Sequence, residues 1–345
     1  MKPFWLNLVT ASFTVALLAA LALPAKRSLD NAREHAPPAP APAVDVPWPR
    51  PAPDPRRAFG VYVDPWHVDE WSRTVGAAPQ LVAKFEAFAN RRTVDPWLRQ
   101  AERIGIRRML VSWEPWAPVP VAWGTALQAR PQPGYSNLDI ARGSQDRYIL
   151  AFARSLARFR GTVYLRFAHE MNGYWYPWSH GSRAYVYAWR RMVRIFEVAG
   201  ARNVRFVWSV NPNLYDTQRE WRRGLRAYWP GSRYVDAIGS TMIDFGGIKS
   251  YPVDRFTPRL RWLHDTYRKP VVLTEVNTAY GGRLRWLADL RAALATMPWI
   301  DVVTWSQLPS RGKAHQTATG VVDWDVQTDA PASAALAAII RDGLR

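Results

Sequence analysis

Cysteine is absent from the 345 residues of this chain. Its absence excludes disulfides, zinc–thiolate sites, iron–sulfur clusters and a thiol nucleophile. Stability must therefore come from packing, and a chain of this length with 48% apolar residues can bury a sizeable core. The same apolar fraction excludes a wholly disordered protein. At about 100–200 residues per domain, the length allows one large domain or two small ones.

Acidic residues are few, with 28 Asp and Glu against 46 Lys and Arg, and the formal net charge is +18. A basic excess is typical of proteins that bind nucleic acid, acidic polymers or membrane headgroups. Here the arginines are scattered along the whole chain rather than gathered in a block, which favours a solvated basic surface. We therefore expect no nucleic-acid partner, and an anionic substrate stays an alternative.

The one long apolar run of the chain lies at its N-terminus, over residues 4–23. Twenty residues suit the core of a signal peptide or one membrane-spanning helix, so residues 1–27 are predicted to be one of the two. Residues 28–57 are rich in proline and alanine and are predicted to be a disordered, extended linker, because proline disrupts helices and sheets. The protein is expected to be exported, periplasmic or extracellular, and anchored to the inner membrane if the segment is not cleaved.

From residue 58 to residue 345 short apolar runs alternate with amphipathic helical stretches. The eight runs cover residues 58–64, 80–88, 107–113, 162–170, 203–210, 234–240, 270–276 and 300–306. Near-continuous Val, Ile and Leu runs between helices indicate a parallel sheet with both faces covered. Eight such units predict an α/β fold of the (β/α)8 or TIM-barrel type. A doubly wound open sheet is the alternative, but the first run lacks its usual glycine-rich turn.

Two glutamates stand at the ends of predicted strands, Glu170 after the fourth run and Glu275 in the seventh. In a (β/α)8 barrel the active site lies at the carboxyl ends of the strands, so the two carboxyl groups are expected to meet there. Glycosidic bond cleavage needs such a pair: one carboxyl group protonates the leaving oxygen, and the other attacks the sugar or activates water. A salt bridge with arginine is the alternative role for each glutamate.

Tryptophans at or just past strand ends support a sugar site, because indole rings stack on the apolar faces of sugars. The candidates for substrate binding are Trp113, Trp175, Trp208 and Trp305. Ordinary packing is the alternative for some of them. The histidines show no metal-ligand spacing, so neither a metal nor a cofactor is expected.

Residues 166–178, with the sequence RFAHEMNGYWYPW, resemble the acid/base motif of glycoside hydrolase family 26. That family contains endo-β-1,4-mannanases and some β-1,3/1,4-glucanases. The resemblance continues through residues 207–212 and 269–275 and covers roughly residues 58–328. It implies a retaining (β/α)8 enzyme in which Glu170 is the general acid/base and Glu275 the nucleophile, with carboxyl groups about 5–5.5 Å apart.

The same resemblance implies that His169 and Trp175 contact sugar and that Trp305 forms the floor of the sugar site. Asn172, within the motif, is a further candidate substrate contact. Glu114, just after the third run, is expected either to bind sugar hydroxyls or to form a loop salt bridge.

Arg166 lies four residues before Glu170, so strand alternation predicts that both side chains face inward. There its charge would keep Glu275 ionised, and a purely structural ion pair is the alternative. Members of the family carry a tyrosine at the end of strand six, but residues 239–246 contain none. Tyr280, in the next loop, is the candidate replacement.

The function expected from these features is that of a retaining, endo-β-1,4-mannanase-like hydrolase acting on a polysaccharide or oligosaccharide as a monomer. A β-glucanase and an exported hydrolase that processes the bacterium's own, possibly acidic, exopolysaccharide are the alternatives with the same chemistry. A non-catalytic carbohydrate-binding barrel is the alternative from a different class.

Overall fold

The computed structural model describes residues 56–91, 94–118, 129–212, 218–245, 251–278, 282–307, 315–317, 320–322 and 324–342. The apolar segment 1–27, nearly all of the linker and Tyr280 lie outside these residues. Within the described part of the chain, no helix is both long and apolar enough to cross a bilayer.

Eight parallel strands close a barrel in chain order, which confirms the predicted (β/α)8 fold. The strands are β1 Ala58–Val61, β2 Leu81–Ala87, β3 Arg108–Glu114, β4 Thr162–Phe167, β5 Val204–Val210, β6 Ala237–Asp244, β7 Val271–Thr278 and β8 Ile300–Trp305. Each lies within or overlaps one of the predicted apolar runs. Closure comes from the pairing of β1 with β8, in which Phe59 stands opposite Val303.

Helices cover the outside of the barrel. They are α1 Val68–Val75, α2 Asp95–Arg103, α3 Asn137–Arg142, α4 Asp146–Ala157, α5 Ser182–Val198, α6 Gln218–Ala227, α7 Val253–Tyr267, α8 Arg283–Ala295 and α9 Ala330–Asp342. Helix α5 shows why they lie there: it buries Trp189, Met192 and Phe196 at helical spacing. A short antiparallel hairpin, β9 His315–Thr317 and β10 Gly320–Val322, follows β8.

Side chains alternate along each strand between the barrel interior and the helices. One interior cluster is mainly apolar and consists of Ala58, Tyr62, Leu81, Ala83, Leu110, Tyr164, Val207, Ala237, Val272 and Val302. Two residues further along three of these strands, the inward side chains become the polar Ser112, Arg166 and Ser209, all fully buried. The barrel therefore has an apolar lower interior and a polar layer toward the carboxyl ends of its strands.

Strand β7 carries an irregularity directly before Glu275. Its pairing with β6 sets Ser240 opposite Leu273 but Thr241 opposite Glu275, so Thr274 is an extra residue. A bulge of this kind re-aims the side chains around it. Here Thr274 reaches the Ser209 hydroxyl (Oγ1 to Oγ, 3.3 Å), and Glu275 also faces the interior.

Candidate active site

Arg166 of β4 makes hydrogen bonds to four other strands at the carboxyl end of the barrel and is fully buried. Its Nε donates to Ser209 Oγ at 2.9 Å, and its Nη2 donates to Thr241 Oγ1 at 3.2 Å. Its Nη1 donates to Ser112 Oγ at 3.2 Å and to Glu275 Oε1 at 2.5 Å. The guanidinium group is thus held in one orientation by hydroxyls and bound to one carboxylate.

The charges of Arg166 and Glu275 depend on each other. Burial disfavours the cation, but Glu275, Tyr62 and Glu170 together outweigh this effect and raise the pKa of Arg166. Burial also raises the pKa of Glu275 to about 7, an increase that Arg166 opposes and the charge of Glu170 reinforces. Arg166 therefore limits the rise in the pKa of Glu275, and the pair is ionic above neutral pH.

Glu170 has different partners from Glu275. Thr241 Oγ1 donates to Glu170 Oε1 at 2.5 Å, and Asn211 Nδ2 donates to the same oxygen at 3.1 Å. Asn172 in turn holds the backbone of Asn211: Nδ2 donates to Asn211 O at 2.8 Å, and Oδ1 accepts from Asn211 N at 2.9 Å. Both ends of the Asn172 amide thus position Asn211, and its predicted contact with substrate stays a prediction.

The backbone after β4 explains how Glu170 comes to face the site. Strand β4 ends at Phe167, and the left-handed residues Ala168 (φ 43°) and Glu170 (φ 52°) follow. Such conformations are strained for residues with a Cβ and persist where the surroundings hold them. Glu170 N donates to Ser209 O at 2.8 Å, which keeps the segment along β5. Glu170 thus turns inward through these two residues, which corrects the expectation of simple strand alternation.

His169 lies between the two strained residues and is 1% exposed. Its ring packs edge-to-face on Tyr176, with centroids 4.8 Å apart, and lies 5.7 Å from the ring of Trp178. Trp178 Nε1 donates to the His169 carbonyl at 2.7 Å, and the ring Nε2 lies 3.2 Å from Glu114 Oε1. Glu114 thus contacts this histidine, a partner that neither alternative for it named, and its predicted contact with sugar stays a prediction.

Two of the predicted sugar-binding tryptophans lie elsewhere. Trp113 stacks on Phe152 of α4, with centroids 4.3 Å apart and planes 7° from parallel. Trp208 packs against Trp229 and Tyr267, with centroids 5.1 and 5.3 Å away. Each is next to an inward-facing serine and so points outward, toward the helices. The prediction that Trp113 and Trp208 bind sugar is therefore wrong, and both are core residues.

Trp175 and Trp305 lie in the loop after β4 and at the end of β8, and are 3% and 0% exposed. Neither indole nitrogen has a hydrogen-bond partner within the described part of the chain. Their sugar contacts stay predictions.

Sequence reasoning missed the hydroxyls that bind Arg166, from Ser112, Ser209 and Thr241. A signal was present, because each serine interrupts an otherwise apolar run. Among the described residues, no group of three or more His, Asp or Glu side chains is arranged to hold a metal ion.

Residues 146–256 match the family model described as glycosyl hydrolase family 26. This match covers about a third of the chain. The matched segment contains Arg166, Glu170 and Thr241 and ends before Glu275, so the model match does not itself cover the second glutamate. A curated relative, Endoglucanase H of Acetivibrio thermocellus, is 24% identical over 202 residues, which are 54% of this chain and 20% of that protein. The chain thus spans about a fifth of the relative's length.

Solved family 26 structures share the barrel. A GH26 β-mannanase from Bacteroides ovatus is 18% identical, with a TM-score of 0.58 over 84% of this chain and 89% of that one. The catalytic domain of the GH26 endo-β-1,4-mannanase from Bacillus sp. JAMB-750 is 16% identical, with a TM-score of 0.58 over 84% of this chain and 86% of that one. At these identities the likeness establishes the fold.

Proposed function

We propose that this protein is a retaining glycoside hydrolase that cleaves a β-linked polysaccharide, with Glu275 as nucleophile and Glu170 as general acid/base. The observation that carries the proposal is the unequal environment of two buried glutamates at the carboxyl end of the barrel. Glu275 is bound to the Arg166 cation, whereas Glu170 is held by neutral donors from Thr241 and Asn211. Different environments of this kind separate the acid from the nucleophile in carboxylate pairs.

The proposed reaction has two steps. Glu275 attacks the anomeric carbon while Glu170 protonates the leaving oxygen, and a glycosyl-enzyme forms. Water, deprotonated by Glu170, then hydrolyses this intermediate and restores both groups. Thr241 and Asn211 both donate to Oε1 of Glu170, so Oε2 is the atom that would carry the proton.

β-Mannan is the substrate that we propose first, supported by the β-mannanase and the endo-β-1,4-mannanase among the structural neighbours. β-Glucan is the second candidate, favoured by the sequence similarity to an endoglucanase. The residues of β6 bear on this choice. A hydroxyl from Thr241 reaches Glu170, in a strand where the expected tyrosine is missing, so the site differs from the pattern implied by the family.

The test is release of reducing ends from β-mannan, mixed-linkage β-glucan and an acidic bacterial exopolysaccharide. We expect hydrolysis of one of the neutral polymers, with the β-anomer appearing first by NMR. Glu275→Ala should abolish turnover, while azide should restore Glu170→Ala on an activated aryl glycoside with retained configuration. Binding to a polymer without hydrolysis would instead indicate a carbohydrate-binding barrel, and an inverted first product would reject the retaining mechanism.

We also propose that residues 1–27 direct export and that residues 28–57 hold the barrel away from the membrane. The 20-residue apolar run and the proline content support this. An alkaline phosphatase fused after residue 57 should become active only if the segment is exported. Its recovery in the membrane or the soluble fraction would separate an anchor from a cleaved signal. The expected monomer is tested by size-exclusion chromatography with light scattering.

A further inference from the structure

Glu114, the last residue of β3, is a buried carboxyl group that the proposed reaction leaves unused. It is 2% exposed and follows the inward-facing Leu110 and Ser112 at alternate positions, so it lies on the interior side of the strand. Its Oε2 accepts a hydrogen bond from Trp116 Nε1 at 3.2 Å. Its Oε1 lies 3.2 Å from Nε2 of His169.

A single hydrogen can lie between Glu114 Oε1 and His169 Nε2. Which of these two atoms carries it determines whether Nδ1 of the imidazole is a hydrogen-bond donor or an acceptor. If Glu114 is protonated and donates, the ring hydrogen of a neutral His169 sits on Nδ1. If Glu114 is ionised and accepts from Nε2–H, Nδ1 is a bare acceptor. Nδ1 is buried and has no hydrogen-bond partner among the described residues, so it can form a hydrogen bond with a ligand.

The charges around Glu114 favour its protonated form. Glu86 of β2, Arg166 of β4 and Glu275 of β7 are the charged groups that act on it. Burial raises the pKa of Glu114 to about 8; the hydrogen bond from Trp116 and the charge of Arg166 oppose this rise, and the two carboxylates add to it. Near neutral pH the group is therefore mostly a carboxylic acid.

The surroundings of His169 exclude the imidazolium. The ring is enclosed by Phe85, Tyr176 and Trp178. Burial and the nearby Arg166 cation lower the pKa of His169 well below its usual value. Oε2 of Glu114 accepts from Trp116, so the acid hydrogen lies on Oε1. With both partners neutral, Oε1 then donates this hydrogen to Nε2 of His169.

We propose that Glu114 is a positioning residue that donates to Nε2 of His169 and so holds the imidazole in its Nδ1–H tautomer. His169 then presents a hydrogen-bond donor next to Glu170. The identity of the acceptor, a sugar hydroxyl or the glycosidic oxygen, rests on the proposed function. The tautomer itself is a property of the free protein.

Nitrogen-15 NMR of histidine-labelled protein tests the tautomer without substrate, with the His169 signals assigned by their loss in His169→Gln. At pH 6.5 we expect Nδ1–H, with a shift toward Nε2–H as Glu114 ionises near pH 8. In Glu114→Gln the amide nitrogen donates permanently to Nε2 while its oxygen accepts from Trp116, so Nδ1–H should persist at every pH. Glu86→Gln, a nearby glutamate bound to Lys84 and Asn90, is the matched control and should keep Nδ1–H at pH 6.5.

Kinetics on the best β-linked substrate supply the second measurement. Glu114→Gln should stay within about threefold of the wild-type kcat/KM at pH 6.5, because it keeps both hydrogen bonds, whereas Glu114→Leu should fall at least tenfold. Nε2–H in the wild type at pH 6.5, or a Gln variant whose His169 adopts Nε2–H, would overturn the proposal. If the Leu variant does not fold, the NMR comparison of wild type with Gln still decides. Because that comparison needs no substrate, its result is independent of whether the protein hydrolyses glycosides.

Discussion

At the scale of single residues, Arg166 determines the electrostatics of the site. A buried guanidinium group with one carboxylate partner would leave most of its donors unsatisfied. Ser112, Ser209 and Thr241 accept its other hydrogen bonds, which explains why these inward positions carry hydroxyls rather than the branched aliphatic residues usual in barrel interiors. The buried Arg166 cation therefore depends on the three hydroxyls for its remaining hydrogen bonds.

Replacing Arg166 is expected to change the pH dependence of activity as well as its rate. Arg166→Met removes the charge that opposes the rise in the pKa of Glu275, so this pKa should climb above about 7. A nucleophile must be ionised, so the acidic limb of the kcat/KM profile should move to higher pH, with a loss of about 100-fold or more at pH 6. Arg166→Lys, which keeps the charge but loses the fork of donors, should lower kcat while leaving that limb near its wild-type position. An unshifted limb in a folded Met variant would contradict the ion-pair interpretation.

Thr241 is expected to act on the other glutamate. Thr241→Val keeps the shape but removes the hydroxyl that donates to Glu170 and accepts from Arg166. Loss of a hydrogen bond to a charged group costs about 1.5–3 kcal/mol, so kcat should fall about 10–100-fold on a natural polymer. Thr241→Ser, which restores the hydroxyl, should recover most of the activity in the same assay. Equal activity of the Val and Ser variants would show that the hydroxyl has no role.

At the scale of elements, two local departures from strand geometry bring the glutamates together. Left-handed residues at 168 and 170 turn Glu170 inward after β4 has ended, and the extra residue Thr274 re-aims Glu275 within β7. Neither feature is visible in the sequence, because the residues that adopt them are not glycines and the bulge depends on pairing with a strand some 30 residues away. The motif located the glutamates, but their orientation depends on the neighbouring strands.

Strand positions were predictable because burial on both sides produces continuous apolar runs. The direction of each side chain was harder to predict, because a continuous apolar run does not show which alternate positions face inward. Trp113 and Trp208 were misassigned for this reason. The polar Ser112 and Ser209 are a signal of orientation in their strands, since a buried hydroxyl needs a partner and the barrel interior supplies one in Arg166.

Gly239 of β6 allows β5 and β6 to approach closely at the level of Ser209. Its replacement tests whether this close approach is required. A Cβ at this position would lie 2.6 Å from Ser209 Cβ and 2.8 Å from Val207 Cγ1, so Gly239→Ala must push β5 and β6 apart. We expect a loss of about 1–3 kcal/mol in the free energy of unfolding, measured by denaturant titration, together with reduced kcat as Ser209 moves from Arg166. Gly282→Ala is the matched control, because a Cβ there meets nothing within 4 Å, and it should cost at most about 1 kcal/mol. A Gly239→Ala protein as stable and active as the wild type would show that the layer tolerates expansion.

At the scale of the whole molecule, the barrel is closed by pairing between the first and last strands, and Arg57 secures that closure. It directly precedes β1, and its side chain donates to the carbonyls of Ile300 (2.9 Å), Leu294 (3.0 Å) and Met297 (2.8 Å). These carbonyls belong to the end of α8, the turn after it and the start of β8. The last residue of the predicted linker therefore contacts the barrel.

Truncation tests both the linker and this contact. Removal of residues 1–55 should leave a soluble barrel with the full chain's melting temperature and kcat/KM, because Arg57 and every described strand and helix remain. Adding Arg57→Ala should cost about 2 kcal/mol, since three hydrogen bonds from a cation are lost, and should lower Tm by about 4–8 °C. Arg56→Ala, at the exposed neighbouring position, is the control and should change the free energy of unfolding by less than about 0.5 kcal/mol.

If the 1–55 deletion itself is insoluble or inactive, the proline-rich segment packs on the barrel and is not a spacer. If only Arg57→Ala is without effect, closure depends on the β1–β8 ladder alone.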